Sequence, residues 1–501
     1  MQDFLATTIT REHIMEEKLT FNKRNLTMLT DFYELTMANG YFEHNLMEKE
    51  VYFDLFFRKV PDNGGFAIFA GLEQIVNYLN DLHFSDDDIE YLRTKDSFSE
   101  DFLDYLKNFN FCCDVWAVKE GTPVFPNEPL IKVRGPVIQA QFIETMLLLS
   151  INHQSLIATK SNRIVRAAMG KTVLEFGSRR AQGADAAILG ARAAYIGGVA
   201  GTACTIADID LGIPAGGTMA HSWVQLFPTE YDAFKAYSEV YPDNCLLLVD
   251  TYDVLKSGVP NAIKTFDEVL KPLGYRPRGI RIDSGDIAYL TKKARKMLDS
   301  AGYEDCKIYV SNSLDEYIIR DLGIQGAQID AFGVGERLIT AKSEPVFGSV
   351  YKLAAVVEDD KIIPKIKISA NVEKITTPCA KNVYRIFNKK TNQAIADLIT
   401  LEDEVLDTSK PIELFNPLYT WKRKKIKNYE AVPLLVPIFK KGKQVYELPN
   451  IHDIKKYCEN QIDTLWSELL RFENPHKYYV DLSKSLWDIK DRLLKHYSES
   501  K

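Results

Sequence analysis

The feature that most constrains the fold is a repeated alternation of short apolar runs and helical segments between residues 170 and 350. Most of these runs end in a polar or glycine-rich turn, and a helical pattern follows the turn. Repeated strand–turn–helix units predict a parallel sheet, closed or open. In such folds the reactive groups lie in the turns after the strands, at their carboxyl ends. The predicted strands are residues 173–176, 198–202, 246–249, 279–282, 308–310 and 329–332.

The segments on either side of this region differ from it. Residues 1–150 mix helical and strand patterns, whereas the chain beyond residue 355 is rich in charge and combines β patterns with a helical tail. A chain of 501 residues is too long for one ordinary domain. We therefore expect an N-terminal α/β domain at 1–150, a central region with the active site at 151–355, and a C-terminal α/β region at 356–501. The last of these is expected to pack on the first.

Charge and composition exclude several classes of protein. The chain has 62 Lys and Arg against 69 Asp and Glu, a net charge of −7. A general nucleic-acid or membrane-surface binder is not expected, because such proteins need a basic surface. No apolar run approaches the roughly 20 residues that span a bilayer, and the N-terminal segment lacks the layout of a signal peptide. Seven scattered cysteines favour a reducing compartment. These features predict a cytoplasmic enzyme without a structural zinc site.

The first candidate for chemistry is His221, in the segment GGTMAHS at residues 216–222. Small neighbours allow a bulky anion to approach the imidazole. A histidine acts as a base, or as a nucleophile toward phosphorus. The alternative is a histidine that caps the next segment, and the sequence alone leaves both open.

The second candidate is RIDSGD at residues 281–286. Asp283, at a predicted strand end, suits hydrogen bonds from a vicinal diol or a magnesium-bound ligand. Ser284, Gly285 and the amides of the following helix suit an anion. Asp286 is expected to be only the N-cap of that helix.

Two further turns suit a phosphate. GVGE at 333–336, which includes Gly333 and Gly335, is not a dinucleotide fingerprint because no third glycine follows at the required spacing. Its backbone amides still suit a phosphate, although an isolated GxG is more often a tight turn. Ser311 and Asn312 follow a neighbouring strand, and two such turns late in a barrel are typical of a phosphate pocket.

The segment EFGSRR at residues 175–180 combines an aromatic ring with two arginines. Phe176 offers a stacking face for a planar ring, and a guanidinium binds a carboxylate through two parallel hydrogen bonds. The alternative is an ion pair between Glu175 and one of the arginines. A further segment, LTDFYEL at 29–35, predicts only an amphipathic core helix from its spacing.

In this order the segments resemble the nicotinate phosphoribosyltransferase family, over residues 28–355. The resemblance implies that nicotinate attacks C1 of phosphoribosyl pyrophosphate, giving nicotinate mononucleotide and pyrophosphate in NAD salvage. It also implies ATP as a co-substrate, hydrolysed through a phosphohistidine, and Mg²⁺ accompanies the phosphates. The matching segments are TDFYELTM (30–37), EFGSRR (175–180), GTMAHS (217–222), DTYD (250–253), RIDSGD (281–286), VSN (310–312) and FGVG (332–335).

The resemblance implies a role for each matching residue. His221 corresponds to the phosphorylated histidine, Asp283 would hold the ribose hydroxyls, and no side-chain metal ligand is implied. Tyr33 would reach the site of the partner subunit, which requires a homodimer. The residues implied around nicotinate are Tyr33, Phe176, Arg179, Thr218 and Arg281. Those implied around phosphoribosyl pyrophosphate are Ser284, Gly285, Ser311, Asn312, Gly333 and Gly335.

The resemblance also implies a fold and a specificity. The fold is the irregular TIM-like α/β barrel of a type II phosphoribosyltransferase, with α+β flanking regions. Related nicotinamide enzymes carry an aspartate after a Gly-Thr pair, whereas here Ala203 follows Gly201 and Thr202. Alanine cannot accept a hydrogen bond from the amide, so nicotinate is favoured over nicotinamide.

Four other functions are alternatives, and one of them, a quinolinate transferase, is disfavoured because that enzyme does not use the phosphohistidine motif. A nicotinamide phosphoribosyltransferase is the nearest one, and Ala203 argues against it. A barrel aldolase or lyase would need a Schiff-base lysine at a strand end, where this sequence has Arg, Asp, Ser and Gly. A non-catalytic binding paralogue predicts loss of His221 or Asp283, and both are present.

Overall fold

The structure of the protein, a computed structural model, describes residues 24–499. The prediction that the N-terminus is not a signal peptide concerns residues outside this range. Within it, no helix is both long and apolar enough to cross a membrane.

The strands and α-helices are numbered in chain order. Strands β1–β21 are Glu50–Phe57, Ala67–Ile68, Asp114–Val118, Pro123–Val124, Ile131–Pro136, Thr172–Glu175, Gly201–Thr202, Leu246–Leu248, Gly279–Ile282, Lys307–Asn312, Ala331–Val334, Ser349–Glu358, Lys361–Pro364, Lys381–Asn388, Ala394–Leu401, Ile412–Phe415, Arg423–Ile426, Tyr429–Pro433, Leu435–Lys440, Lys443–Gln444 and Val480–Leu482. Helices α1–α16 are Phe32–Glu43, Leu72–Asn80, Asp86–Arg93, Glu100–Lys107, Val137–Phe142, Glu144–Ala167, Ala184–Ile196, Thr205–Leu211, His221–Leu226, Glu230–Val240, Val259–Thr265, Ile287–Ser300, Glu316–Ile324, Glu336–Ile339, Ile451–Ile462 and Lys484–Glu499.

The six apolar runs predicted as strands form one parallel sheet. Its order is β7-β6-β11-β10-β9-β8, and every pairing in it is parallel. These strands are almost continuously apolar and mostly buried, as expected when both faces of a parallel sheet are covered. The predicted parallel sheet is therefore confirmed.

The predicted closed barrel is not confirmed. The end strands β7 and β8 have only two and three residues. No pairing joins them within the described part of the chain. A closed barrel of this type is completed by about eight tilted strands with a matching stagger. Six strands with short ends leave two edges, so the hydrogen-bonded sheet is open.

A second sheet joins segments that are far apart in the sequence. Its order is β13-β12-β1-β5-β3-β19-β20, and its pairings are antiparallel. Strand β1 lies between β5 and β12 and is almost entirely buried. Strand β12 crosses the predicted boundary at residue 355, so the boundary falls inside a strand. The division into three domains stays a prediction.

The remaining β structure lies in the C-terminal region. Strands β18, β14, β15 and β21 form a third sheet, in that order, and β16 with β17 forms a separate hairpin. The hairpin contains part of the basic run at 422–427, and Arg423, Lys424 and Lys425 are exposed there. This run is thus a solvated face.

A buried arginine connects three helices, α2, α6 and α7. Arg192, on α7, is fully buried. Its Nη2 atom donates to Glu73 Oε2 and to Glu120 Oε2, both at 2.7 Å. Its Nη1 atom donates to Gln154 Oε1 on α6 at 2.9 Å. A buried charge of this kind is tolerated because its partners supply hydrogen bonds as well as opposite charge.

Candidate active site

The turns after the parallel strands meet at one edge of the sheet. Ser311 is in register with Gly333, and Val334 is in register with Glu175. Because the strands run in the same direction, the polar residues that follow them face one another across this edge. The residues predicted as candidates near the ends of β6, β9, β10 and β11 therefore lie along one edge of the sheet. Ser311, Asn312 and Gly333, expected after their strands, are the last residues of β10 and part of β11.

A line of polar contacts runs from His221 to Ser311. His221 Nδ1 lies 3.1 Å from Thr251 Oγ1, and His221 Nε2 lies 4.0 Å from Asp283 Oδ2. Ser311 Oγ donates to Asp283 Oδ1 at 2.5 Å. The His221 and Asp283 side chains are 42% and 38% exposed, so both are open to a ligand. The N-cap of α9 is Ala220 and makes no side-chain cap bond, so His221 does not cap that helix.

Asp250 organises the turn that carries Asp283. Its Oδ2 atom accepts hydrogen bonds from the backbone N–H of Asp283 at 3.0 Å and from Ser284 Oγ at 2.6 Å. The Ser284 hydroxyl is therefore already engaged. Gly285 has a φ of 83°, a left-handed conformation that favours glycine. Asp286 accepts from the backbone N–H of Tyr289, which confirms it as the N-cap of α12.

Sequence analysis assigned no individual role to Asp250 and Thr251, although both lie in the matching DTYD segment. Both follow a short apolar run, β8, as the other site residues follow theirs. That shared position is the signal that identifies them. Their contacts cannot be read from the sequence. Asp250 reaches Asp283 because the sheet places β8 beside β9.

Arg281 and Thr218 also come together as predicted. Arg281 Nη1 donates to Thr218 Oγ1, and Nη2 donates to the carbonyl of Met219, each at 2.7 Å. Arg281 Nε is buried and has no partner within residues 24–499. Burial lowers the pKa of Arg281, but a guanidinium stays protonated at neutral pH. The site therefore contains a positive charge held toward the GGTMAHS loop.

Phe176 packs directly against the GVGE turn. A Cβ on Gly333 would lie 2.5 Å from Cδ2 and 2.6 Å from Cε2 of the Phe176 ring. A Cβ on Gly335 would lie 3.0 Å from the Phe176 carbonyl oxygen. At position 333, only glycine leaves room for the Phe176 ring. The predicted stacking group and the predicted phosphate turn are thus in contact.

The arginines after Phe176 do not pair with Glu175. Arg179 is exposed, and within residues 24–499 its side chain has no hydrogen bond or ion pair. Arg180 Nε lies 3.9 Å from Glu336 Oε2. Glu175 is fully buried and accepts its hydrogen bonds from Thr202 Oγ1 and from the backbone N–H of Gly177. The ion pair considered from sequence does not form, and the charge of Arg179 is unpaired within residues 24–499.

Asn312 has an unusual backbone conformation at the end of β10. Its φ is 151°, which non-glycine residues rarely adopt. Its side-chain Oδ1 accepts from the backbone N–H of Ser313 at 2.6 Å. Strain of this kind is concentrated at functional sites. The turn after β10 is therefore a candidate ligand-binding turn on geometry as well as on sequence.

Tyr33 lies apart from this cluster. It is 45% exposed on α1, and within residues 24–499 no contact joins it to the strand-end residues. Burial of its hydroxyl and the neighbouring carboxylates of Glu144 and Glu34 raise its pKa. Tyr33 is the one predicted nicotinate residue that this chain does not bring to its own cluster.

The described residues contain no group of three or more His, Cys, Asp or Glu side chains that would hold a metal ion. The carboxylates at the site are Asp250 and Asp283, and Asp250 Oδ1 is buried with no partner in residues 24–499. Mg²⁺ prefers one or two carboxylates together with substrate phosphates. The donor set therefore fits a magnesium ion that arrives with phosphates.

Known proteins match this chain over nearly its full length. The family model of the nicotinate phosphoribosyltransferase (NAPRTase) N-terminal domain matches residues 28–152, and that of the nicotinate phosphoribosyltransferase C-terminal domain matches residues 380–490. The nicotinate phosphoribosyltransferase of Bacillus subtilis (strain 168) is 46% identical, over 94% of this chain and 95% of its own length. That of Dictyostelium discoideum is 36% identical, over 92% of this chain and 87% of its own.

The fold also matches that of a solved structure. The crystal structure of human nicotinic acid phosphoribosyltransferase matches with a TM-score of 0.83 and 28% sequence identity. The match covers 93% of this chain and 99% of that one.

Proposed function

The chain belongs to the nicotinate phosphoribosyltransferase family, as its sequence predicts, and we propose that it joins nicotinate to phosphoribosyl pyrophosphate in NAD salvage. The products are nicotinate mononucleotide and pyrophosphate. ATP hydrolysis through a phosphohistidine at His221 drives the transfer, as in a ligase-type enzyme. The observation that carries the proposal is the line of contacts from His221 through Asp283 to Ser311. The location in the cytoplasm stays a prediction.

The chemistry needs little acid–base catalysis, because the pyridine nitrogen is already a nucleophile. This nitrogen forms a bond to C1 of the ribose while the bond from C1 to oxygen breaks, and pyrophosphate leaves with the electron pair. Positive charge develops on the ribose ring. The Asp283 carboxylate, and a phosphoryl group on the adjacent His221, stabilise that charge. Asp250 and Asp283 would hold a Mg²⁺ ion that arrives with the phosphates, and that ion would supply charge neutralisation for the leaving group.

The nicotinate site follows from the unpaired cation and the ring beside it. We assign stacking on the pyridine to Phe176 and binding of the carboxylate to Arg179, which has no protein partner within residues 24–499. Arg281 and Thr218, bonded to each other at 2.7 Å, border the ring and the reacting sugar. These groups have the charge and shape that a planar carboxylic acid requires.

The phosphoribosyl pyrophosphate site uses backbone amides and small side chains. Asp283 binds the ribose hydroxyls, and its second oxygen already accepts from Ser311. Gly285 allows the left-handed turn after β9, and Gly333 leaves room for the Phe176 ring beside the phosphate turn. The full set assigned to this substrate is Ser284, Gly285, Ser311, Asn312, Gly333 and Gly335.

The exposed position of Tyr33 supports a homodimer with shared sites. We propose that Tyr33 of the partner subunit closes over the pyridine ring, on the face opposite Phe176. Since Tyr33 has no contact with its own cluster within the described residues, it is available to a neighbour. Each protomer would then complete the site of the other.

The turn after β7 favours the acid over the amide. Ala203 is exposed there, directly after the buried Thr202. Its side chain accepts no hydrogen bond from an amide, and no carboxylate at this position repels an acid. We therefore assign nicotinate rather than nicotinamide as the substrate.

A product assay tests the proposal. Purified protein receives phosphoribosyl pyrophosphate and Mg²⁺ with either nicotinate or nicotinamide, each with and without ATP. We expect nicotinate mononucleotide from the acid only, with more product when ATP is present. The His221→Ala variant should lose the ATP stimulation. His83→Ala removes an exposed imidazole whose one hydrogen bond within residues 24–499 is to the local backbone carbonyl of Asp81. It is the matched control and should behave as wild type.

The possible failures have different meanings. Product from nicotinamide would overturn the specificity argument from Ala203 but keep phosphoribosyl transfer. An unchanged ATP stimulation in His221→Ala would refute the phosphohistidine. No product from either substrate would refute the activity and favour a non-catalytic paralogue.

A further inference from the structure

Glu175 has a bonding pattern that the proposed chemistry does not use. It is the last residue of β6 and is fully buried directly before Phe176. Thr202 Oγ1 donates to its Oε2 atom at 2.6 Å, and the backbone N–H of Gly177 donates to its Oε1 atom. The two carboxylate oxygens therefore accept from a backbone N–H and from a buried hydroxyl, and within residues 24–499 neither is paired with a cation.

The backbone of Glu175 also bonds the turn at residues 202–204, which follows the neighbouring strand β7. The Glu175 carbonyl accepts from the N–H of Ala203 at 2.8 Å. Thr202 Oγ1, which donates to the Glu175 side chain, accepts in turn from the N–H of Cys204 at 3.0 Å. Glu175 thus holds the turn at residues 202–204 twice. Its backbone carbonyl bonds Ala203, and its side-chain carboxylate bonds Thr202.

These bonds connect the two parts of the nicotinate site. One turn carries Phe176 and Arg179, which stack on the ring and bind its carboxylate. The other carries Ala203, which distinguishes acid from amide. A hydrogen bond to an ionised group is stronger and shorter than one between neutral groups, so it fixes geometry well. Burial raises the pKa of Glu175, and the bonds from Thr202 and Gly177 oppose that rise.

We infer that Glu175 is a positioning residue for nicotinate, which sets the spacing between the Phe176–Arg179 turn and the Ala203 turn. The inference rests on the proposed function. Glu175 does not contact the substrate. It acts through Gly177 and Thr202, and its contribution is geometric rather than a charge presented to the ligand.

A set of variants separates position from charge. In Glu175→Gln the amide oxygen still accepts from Gly177 and the amide nitrogen donates to the Thr202 hydroxyl, so the turns stay in place. Glu175→Ala removes both bonds, and Thr202→Val removes the hydroxyl while keeping the shape of the side chain. Thr202→Ser keeps the hydroxyl and is the conservative rescue variant.

The measured quantities are the KM values for nicotinate and for phosphoribosyl pyrophosphate, kcat, and the ratio of kcat/KM for nicotinate over nicotinamide. In Glu175→Ala and Thr202→Val we expect the KM for nicotinate to rise about tenfold or more, since each loses a bond to a charged group. The KM for phosphoribosyl pyrophosphate should change less than about twofold, and the preference for the acid should fall by a similar factor of about ten. Glu175→Gln and Thr202→Ser should stay within about threefold of wild type.

A matched control removes an equivalent carboxylate elsewhere. Glu128 is also fully buried, and it accepts from the backbone N–H of Phe125 at 2.7 Å in the N-terminal region. Glu128→Ala should lower the unfolding temperature without changing the KM for nicotinate.

Three results would overturn the inference. One is an unchanged KM for nicotinate in both Glu175→Ala and Thr202→Val. Another is a Glu175→Gln variant as impaired as Glu175→Ala, which would make charge the cause. The third is a parallel rise of both KM values with a lower unfolding temperature in Thr202→Val. An inactive wild-type protein would refute the proposed function itself, together with the inference, so the two failures are distinguishable.

Discussion

The contact between Gly333 and Phe176 makes a quantitative prediction about Gly333→Ala. The new Cβ would lie 2.5 and 2.6 Å from two ring carbons, about 1 Å closer than an optimal contact between carbon atoms. Strand β11 is hydrogen-bonded to β10 on one side and to β6 on the other. The strand therefore cannot move away, and the Phe176 ring must shift.

The expected cost follows from this overlap. Forcing an extra methyl group into a packed site costs about 1–3 kcal/mol of stability. A displaced ring also loses stacking on the pyridine, which is worth about 0.5–1.5 kcal/mol. We therefore expect the KM for nicotinate to rise about 2–10-fold, because 1.4 kcal/mol corresponds to a factor of ten.

Urea unfolding and steady-state kinetics measure these two effects. The matched control is Gly323→Ala on α13, where nothing lies within 4 Å of the new Cβ. Because glycine inside a helix is unfavourable, this control should gain about 0.5–1 kcal/mol. Phe176→Leu should relieve the overlap, so the double variant Gly333→Ala with Phe176→Leu should be more stable than the sum of the single effects by at least about 0.5 kcal/mol. Full additivity, or an unaltered Gly333→Ala protein, would refute the steric reasoning.

Three further predictions concern the buried charges and the dimer. Arg192→Met leaves the buried Glu120 and the partly exposed Glu73 without their cation, so it should cost about 3–5 kcal/mol in urea unfolding at pH 7. A loss below about 1 kcal/mol would contradict this assignment. Burial raises the pKa of Asp481 from 3.8 to about 7. Between these values the unfolded chain loses this proton while the folded state keeps it, so the folded state loses stability as the pH rises through this range. The free energy of unfolding of Asp481→Asn should therefore rise relative to that of wild type between about pH 4 and pH 7, by up to roughly 4 kcal/mol, and then level off. A difference that is constant with pH would disprove this prediction. Mixing inactive Tyr33→Ala and His221→Ala proteins should restore activity through mixed dimers with one intact site, and no recovery would argue against shared sites.

Much of the site is predictable from sequence because its residues follow a repeated local pattern. Each apolar run of four or so residues marks a buried strand, and the polar turn after it marks the edge where chemistry occurs. The pattern predicts Asp283, Ser311 and Gly333 at one edge of the sheet, and the parallel pairing of β9, β10 and β11 agrees. It also identified Asp286 as an N-cap, since capping depends on residues three positions apart.

Partners that come from distant parts of the chain were not predictable in the same way. Sequence analysis considered an arginine as the partner of Glu175, because the arginines are only a few residues away, but the partner is Thr202. The antiparallel sheet joins β1 to β12, some 300 residues later, and no local pattern encodes that pairing.

The sequence by itself determined the parallel strands and the polar groups at their ends, because burial period and turn chemistry are properties of short segments. Only the tertiary structure decided that the six-stranded sheet stays open, that Phe176 lies on Gly333, and that Tyr33 stands away from its own cluster. These outcomes depend on how side chains from remote segments fill the same space. Close packing is a property of the assembled chain, and it is settled only when all the segments are in place.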